Sequence, residues 1–200
     1  AMHTVMAAGV SGRSVLITGV GIIGLMAVTI AKAAGAGKII VADIDDRRLH
    51  IAEQLGAALT LRSDDPDWVD AARHATAHDV GPAVFLEMSG HPQAIRDGFR
   101  ALRNGGTAAL LGLPAEPVAL DLPNQIIFKG VTVLGINGRR MFETWFQMEN
   151  FLLSGRINLD PVITHTMELS DFDRGFNQMQ SGEAIKVVLT VPENADLGHG

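Results

Sequence analysis

The sequence predicts an α/β domain, a doubly wound parallel sheet of about six strands with helices on both faces, followed by a small C-terminal α+β tail. Three observations lead there. Short β-branched or aliphatic runs alternate with helix-length segments from residue 15 to residue 136. The runs are mostly apolar, as strands covered on both faces should be, where a half-exposed strand would alternate apolar and polar positions. A glycine-rich turn also joins the first run directly to the first helix.

Taken in order, Val15-Leu16-Ile17-Thr18 is a buried strand closed by Gly19, and the apolar segment 22–34 is a helix ended by Gly35 and Gly37. Residues 38–43 are a β-branched strand, 46–55 a polar-faced helix stopped at Gly56, and 59–61 a third strand. Pro66-Asp67-Trp68 opens another helix, for which Asp65 or Ser63 is the expected cap. Strand 83–88, helix 93–102, strand 107–111 and strand 131–136 complete the sheet. Between Met141 and Leu153 the apolar residues Phe142, Trp145, Phe146, Met148, Leu152 and Leu153 recur at helical spacing, an amphipathic helix whose stripe belongs to a core or an interface. The tail is expected to run strand (162–163), helix to about Gln180 capped by Ser170 or Asp171, strand (186–191), then a polar, disordered end from Glu193. The division expected is 1–156 for the main domain with its lead-in segment and closing helix, and 157–200 for a tail too small to have its own core.

Composition narrows the function. The net charge of −6, without any run of lysines and arginines, argues against a nucleic-acid partner. The absence of cysteine removes disulfide scaffolds, cysteine-based zinc knuckles and thiol nucleophiles. The most apolar stretch, 22–34, is too short for a bilayer and is interrupted by Gly24, Thr29 and Lys32, so no membrane partner is expected. No signal peptide is visible and the first residues begin abruptly, which suggests a cytoplasmic protein and a partial chain.

The chemistry lies in Gly19-Val20-Gly21-Ile22-Ile23-Gly24. In this pattern the first glycine turns the chain out of the strand, the second lets the backbone approach a pyrophosphate, and the third lets helix and strand pack closely. The helix that follows aims its free amides and positive dipole end at phosphates. Asp43 stands nineteen positions beyond Gly24, at the end of the second strand, where a carboxylate meets the ribose hydroxyls of adenosine. Turn, helix and acid in register point to a Rossmann domain that binds NAD, because a carboxylate repels the 2′-phosphate of NADP. Arg48 is a possible phosphate holder, but beside Asp43 it is expected to pack on the adenosine end.

Other groupings are weaker. His74 and His78 share a metal-ligand spacing on an expected helix, but no third ligand accompanies them, and a solvated face is the simpler reading. Asp64-Asp65-Pro66-Asp67 lacks the alternation of a calcium loop and reads as a helix start, and Asp45-Asp46 reads as a cap. Ser89 has no histidine in sequence relation to activate it. No catalytic set and no metal site are expected in these residues.

Beyond the glycine turn, Leu86-Glu87-Met88-Ser89-Gly90, Ile127-Phe128-Lys129-Gly130 and Gly138-Arg139-Arg140-Met141-Phe142-Glu143-Thr144-Trp145 resemble the C-terminal portion of the L-threonine 3-dehydrogenase family, zinc-dependent members of the medium-chain dehydrogenase/reductase superfamily. The resemblance runs from His3 to Val191. It implies cofactor contacts at Ile23, Asp43 and Arg48 for the pyrophosphate and adenosine half. It also implies that Leu111, Gly112, Leu113, Ile136 and Asn137 line the nicotinamide. Asn137 stands where the family pattern has an aromatic residue, and Arg140 where it has a glutamate. The resemblance places the catalytic and structural zinc sites in an N-terminal domain, on which the tail packs, so zinc and a small-molecule substrate are expected only with that domain and not in this chain alone. Two alternatives stay open: a portion of another zinc-type polyol or alcohol dehydrogenase, or a non-enzymatic NAD-binding or oligomerisation module. The sixth strand, uncharged and β-branched over Val131-Thr132-Val133-Leu134, is expected at a sheet edge, where it would make the chain a homo-oligomer.

Overall fold

The computed structural model describes residues 1–138 and 140–191. It divides into two compact units, Ala1–Asn158 and Leu159–Gly200. The expected disorder from Glu193 onward falls outside the described residues.

The first unit is a six-stranded, wholly parallel sheet. Its strands are β1 (Ser14–Thr18), β2 (Lys38–Asp43), β3 (Leu59–Arg62), β4 (Val84–Glu87), β5 (Thr107–Leu110) and β6 (Thr132–Gly135). They lie in the order β3-β2-β1-β4-β5-β6. The chain moves outward in one direction from β1 to β3, then crosses back to β4, so the strand order reverses between β1 and β4. In an open α/β sheet the crevice beyond the carboxyl ends at that reversal is where ligands bind. β1, β2 and β4 are buried almost without interruption, as the continuous apolar runs require.

Among the described residues the α-helices that accompany the sheet are α1 (Met2–Ala8), α2 (Ile22–Ala33), α3 (Asp46–Leu55), α4 (Trp68–His74), α5 (Pro92–Ala101) and α6 (Glu143–Leu153). α1 is a seven-residue helix in the segment that sequence reasoning left as a lead-in; it buries Met2, Thr4, Val5 and Ala8 and stops at Gly9 in the left-handed region. One face of the core packs α4 and α5 onto the sheet through Trp68, Phe85, Ile95, Phe99 and Leu102, with the rings of Phe85 and Phe99 edge to face at 5.7 Å. Lys129 closes the end of α5, donating from Nζ to the carbonyls of Phe99 (2.8 Å), Arg100 (3.1 Å) and Leu102 (2.7 Å), a cation placed where the helix dipole is negative.

Several local expectations are corrected. α4 is capped by neither Asp65 nor Ser63: its N-cap is Asp67, because Asp65 spends its carboxylate on the Asp67 amide two residues on (2.9 Å), a turn that delays the helix. His74 ends α4, whereas His78 sits on a separate turn with φ of 59°, so the two do not share a helix face. Of the two places expected for the stripe of α6, the core is excluded, since Phe142, Trp145, Phe146, Leu152 and Leu153 are exposed. With residues of α1 it lines an apolar cavity of about 740 Å³.

In the second unit β7 (His165–Glu168) and β8 (Val187–Thr190) pair in parallel, with α7 (Phe172–Gln180) between them in sequence. At the strand expected over 162–163 there is instead the end of a short 3₁₀ turn, Asp160–Val162, carrying Pro161 in its first turn, and the strand begins only at His165. Asp171 is the N-cap residue of α7 but makes no capping bond, because its carboxylate takes the guanidinium of Arg174 at 2.8 Å. A small cluster of Met167, Ala184 and Val187, with Leu189 against it, is this unit's apolar centre.

Candidate functional site

At the carboxyl ends of β1, β2 and β4 lies a cleft of about 510 Å³. Its floor is the glycine turn. Gly19 has φ of 80°, and a Cβ there would come within 2.6 Å of the Ser89 backbone, so a side chain would meet both backbone strain and a clash. A Cβ on Gly24 would lie 2.0 Å from the Gly19 carbonyl oxygen, which is why the first turn of α2 can tuck beneath the end of β1. Gly21 is the N-cap of α2 and offers no side chain to its amides. The first-turn N–H groups of that helix, which helical geometry leaves without intrahelical acceptors, are therefore available to an anion.

Asp43 ends β2 and is only 7% exposed. Its Oδ2 accepts from the Val20 amide at 2.7 Å and its Oδ1 from the Asp45 amide at 3.0 Å. The carboxylate thus ties the glycine turn to the start of α3, and each oxygen keeps a further lone pair for a hydroxyl donor. Asp45 is the N-cap of α3, accepting from the amides of Arg47 (2.9 Å) and Arg48 (3.4 Å). Partial burial pushes the Asp45 carboxyl upward, but the hydrogen bonds from Arg47 and Arg48 outweigh it and hold the group below the usual carboxylate range.

The next strand contributes a charged cluster. Arg62, opposite Asp43 in the parallel register, donates from Nε and one Nη to the two oxygens of Asp64 (2.9 and 2.6 Å) and from its other Nη to Asp46 (2.8 Å). The hydrogen bonds from Arg62 hold the Asp64 carboxyl below its ordinary range, and the two acids raise the Arg62 guanidinium above its own. Ser63 and Asp64 line the cleft beside Asp43 and Arg48.

The far wall follows β4. Glu87 is fully buried, and its Oε1 accepts from the Ser89 amide (2.8 Å), the Ser89 hydroxyl (2.5 Å) and the Gly90 amide (2.9 Å). This carboxylate shapes the turn that presents Met88, Ser89 and His91 to the cleft. The Glu87 carbonyl receives the amides of Leu111 (3.0 Å) and Gly112 (3.2 Å), drawing the loop after β5 onto the loop after β4. The contact is close enough that a Cβ on Gly112 would press on the Gly90 amide.

Of the residues singled out from sequence, Gly19, Gly21, Asp43 and Arg48 share the cleft lining, with Gly24 buried beneath them. Ile23 lies in the first turn of α2 with its side chain 44% exposed and is not part of that lining. Leu111, Gly112, Leu113, Ile136 and Asn137 follow β5 and β6 on the same edge of the sheet, outside the cleft lining. Arg140 reaches Glu143 at 3.6 Å, so it makes a local ion pair with the first turn of α6. Ser63, Asp64, Ser89 and His91 are site residues that sequence reasoning missed; their common signal is position, one to four residues beyond a strand's carboxyl end. Among the described residues no group of three or more His, Asp or Glu side chains is placed to hold a metal ion, and no helix is long and apolar enough to cross a membrane.

Comparison with known proteins follows the same outline. Residues 23–154 match the family model described as zinc-binding dehydrogenase. L-threonine 3-dehydrogenase of Bacillus velezensis is 47% identical over 190 residues, which cover 94% of this chain and 54% of the relative. Among solved structures, an alcohol dehydrogenase from Thermotoga maritima superposes with a TM-score of 0.86 at 28% identity, over 96% of this chain and 54% of that one. A zinc-binding dehydrogenase from Sinorhizobium meliloti, solved with NADP bound, superposes at 0.83 and 26% identity, over 93% and 55%. The chain spans about half the length of the curated relatives it matches.

Proposed function

As this chain belongs to the zinc-binding dehydrogenase family, we propose that it is the NAD-binding portion of an enzyme that oxidises the hydroxyl of L-threonine to give 2-amino-3-ketobutyrate. The observation that carries the cofactor assignment is the Asp43 carboxylate, fixed by two backbone amides at the mouth of the glycine turn. Threonine is favoured over the alcohols and polyols of more distant members because the threonine dehydrogenases are the more similar in sequence, 47% for one of them against 28% for the alcohol dehydrogenase structure.

NAD, when bound, supplies a hydride acceptor at its nicotinamide ring. The residues of this chain hold it and orient it. The first-turn amides of α2, from Ile22 to Gly24, take the pyrophosphate, with Gly19 and Gly21 keeping the approach clear. Asp43 accepts the ribose hydroxyls with its remaining lone pairs, and Arg48 packs at the adenosine end. The backbone of Leu111, Gly112, Leu113, Ile136 and Asn137 borders the nicotinamide at the open edge of the sheet. Among the described residues no His, Asp or Glu group is placed to hold zinc, and in the intact enzyme the metal and the bound alcohol belong to a further domain. The setting is cytoplasmic, and the chain self-associates along β6, whose exposed edge position supports that contact.

Calorimetric titration of the purified chain with NADH and NADPH tests the assignment. Measurable binding of NADH with weaker binding of NADPH is expected. Equal or tighter binding of NADPH refutes the role of Asp43, and absence of binding to both refutes the site. Metal analysis and a threonine-dependent NAD reduction assay on the same sample are expected to give neither stoichiometric zinc nor turnover.

A further inference from the structure

We infer that the ion-pair cluster Asp46–Arg62–Asp64 at the end of β3 is a second determinant of cofactor choice, one that acts beside Asp43 to exclude a 2′-phosphate. The inference rests on the nicotinamide cofactor lying in the cleft as proposed above. A 2′-phosphate would project from the adenosine ribose, and so from the neighbourhood of Asp43, toward the next strand. Arg62 is there, in register with Asp43 on β3. A guanidinium at that place is the group best suited to grip a phosphate, because its planar fork matches two phosphate oxygens.

The fork is already committed. Asp64 takes two of its donor nitrogens through both carboxylate oxygens, and Asp46 takes the third. Both acids are exposed, and the hydrogen bonds from Arg62 hold the Asp64 carboxyl below its ordinary range. Two carboxylates on one guanidinium leave the cluster with a net negative charge, and Asp64 carries its share into the cleft lining. Arg47 and Arg48 are likewise matched with Asp45, at 3.4 and 3.7 Å. Arg62 is held by two acids, at 2.6 to 2.9 Å. The sequence alone shows Asp45-Asp46 and Asp64-Asp65 only as acidic helix starts; folding brings Asp46 and Asp64 onto one arginine from opposite sides.

Substituting Asp64→Asn removes one negative charge from the cleft and frees part of the Arg62 fork. Removing a unit charge several ångströms from a doubly charged phosphate at a solvent-exposed site changes affinity by about tenfold. The experiment is calorimetric titration of the full chain, as wild type, D64N and D46N/D64N, with NADH and NADPH at low and high salt. The expected result is that the NADH-to-NADPH affinity ratio narrows by about tenfold in D64N and further in the double variant, mostly through tighter NADPH binding. Raising the salt to about 1 M should narrow the wild-type ratio more than the variant ratios, since screening acts on charge and leaves packing alone. A preference for NADH that is the same in all three proteins overturns the cluster's role while leaving the cofactor site intact. Absence of binding by the wild type to either dinucleotide overturns both.

Discussion

Replacing Asp43 by asparagine separates what this carboxylate does for the fold from what it does for the cofactor. The side chain is nearly isosteric, but asparagine has one acceptor oxygen and one amide nitrogen where aspartate has two acceptors. In the native site both oxygens face backbone N–H groups, Val20 at 2.7 Å and Asp45 at 3.0 Å. Whichever way the amide is turned, one donor then faces another donor and one charge-assisted bond is lost. The Val20 bond is buried, so the loss is expected to cost about 2 kcal/mol, within the range for a hydrogen bond to a charged group. For a chain of this length that corresponds to a fall in Tm of roughly 4–8 °C. Urea unfolding should show a lower midpoint at unchanged m, because no surface is newly exposed. Calorimetry on the same variant should show weaker NADH binding, by about tenfold, and a smaller preference over NADPH, as the ribose contact and the repulsion of phosphate weaken together. An unfolding midpoint equal to wild type would refute the two amide bonds as a stabilising link, and an unchanged NADH-to-NADPH ratio would refute Asp43 as a recognition residue.

Two further substitutions test neighbouring links. Asp45→Ala removes the N-cap of α3 and should cost about 1 kcal/mol at neutral pH. The native carboxyl is held below its ordinary range by Arg47 and Arg48, so that stabilisation is present above the unfolded carboxylate value of about 4 and is lost as pH falls below it. Wild type and variant should therefore converge in stability on acidification, as followed by circular dichroism; a gap that persists in acid would contradict the cap. Val133→Pro tests the self-association proposed for β6. The amides of Thr132 and Ile136 point inward to the carbonyls of Gly106 and Leu110, so by strand alternation the Val133 amide points outward. Proline there deletes an outward donor without breaking the β5–β6 ladder. Light scattering should give an oligomer for wild type and 21.3 kDa monomer or aggregate for the variant; a clean wild-type monomer would show that the edge is covered.

The parallel sheet was legible because its strands are buried on both faces, which writes a local signal of unbroken apolar residues between glycines. β2 and α3 fall where expected to the residue, since Gly37, Asp45 and Gly56 punctuate them. The signal failed where a helix is short or a strand is coupled to a partner far away. α1 has seven residues and no first-turn acid or side-chain cap to announce it. β7 pairs with β8 more than twenty residues on, and the β-branched pair Val162-Ile163, which looked like the strand, sits at the end of a turn entered through Pro161.

The site divides along the same line. Gly19, Gly24 and Asp43 were legible because each answers a local demand: a left-handed turn, a helix packed under a strand end, an acceptor at fixed distance along the chain. Asp64 was not, because its placement at the cleft is set by Arg62 beside it, which also binds Asp46, some eighteen residues earlier at the start of α3. Read locally, each acid is the start of a helix, and for Asp45 that reading is correct. Only the register of β2 against β3, which sets Arg62 opposite Asp43, ties two exposed acids together beside the cleft that Asp64 lines. The same holds for Glu87. A glutamate in an apolar run reads as an interruption, yet folding buries it completely and spends one of its oxygens on three donors from Ser89 and Gly90. Its burial is intelligible once the loops after β4 and β5 are seen to close on each other there, a contact between segments that share no sequence neighbourhood.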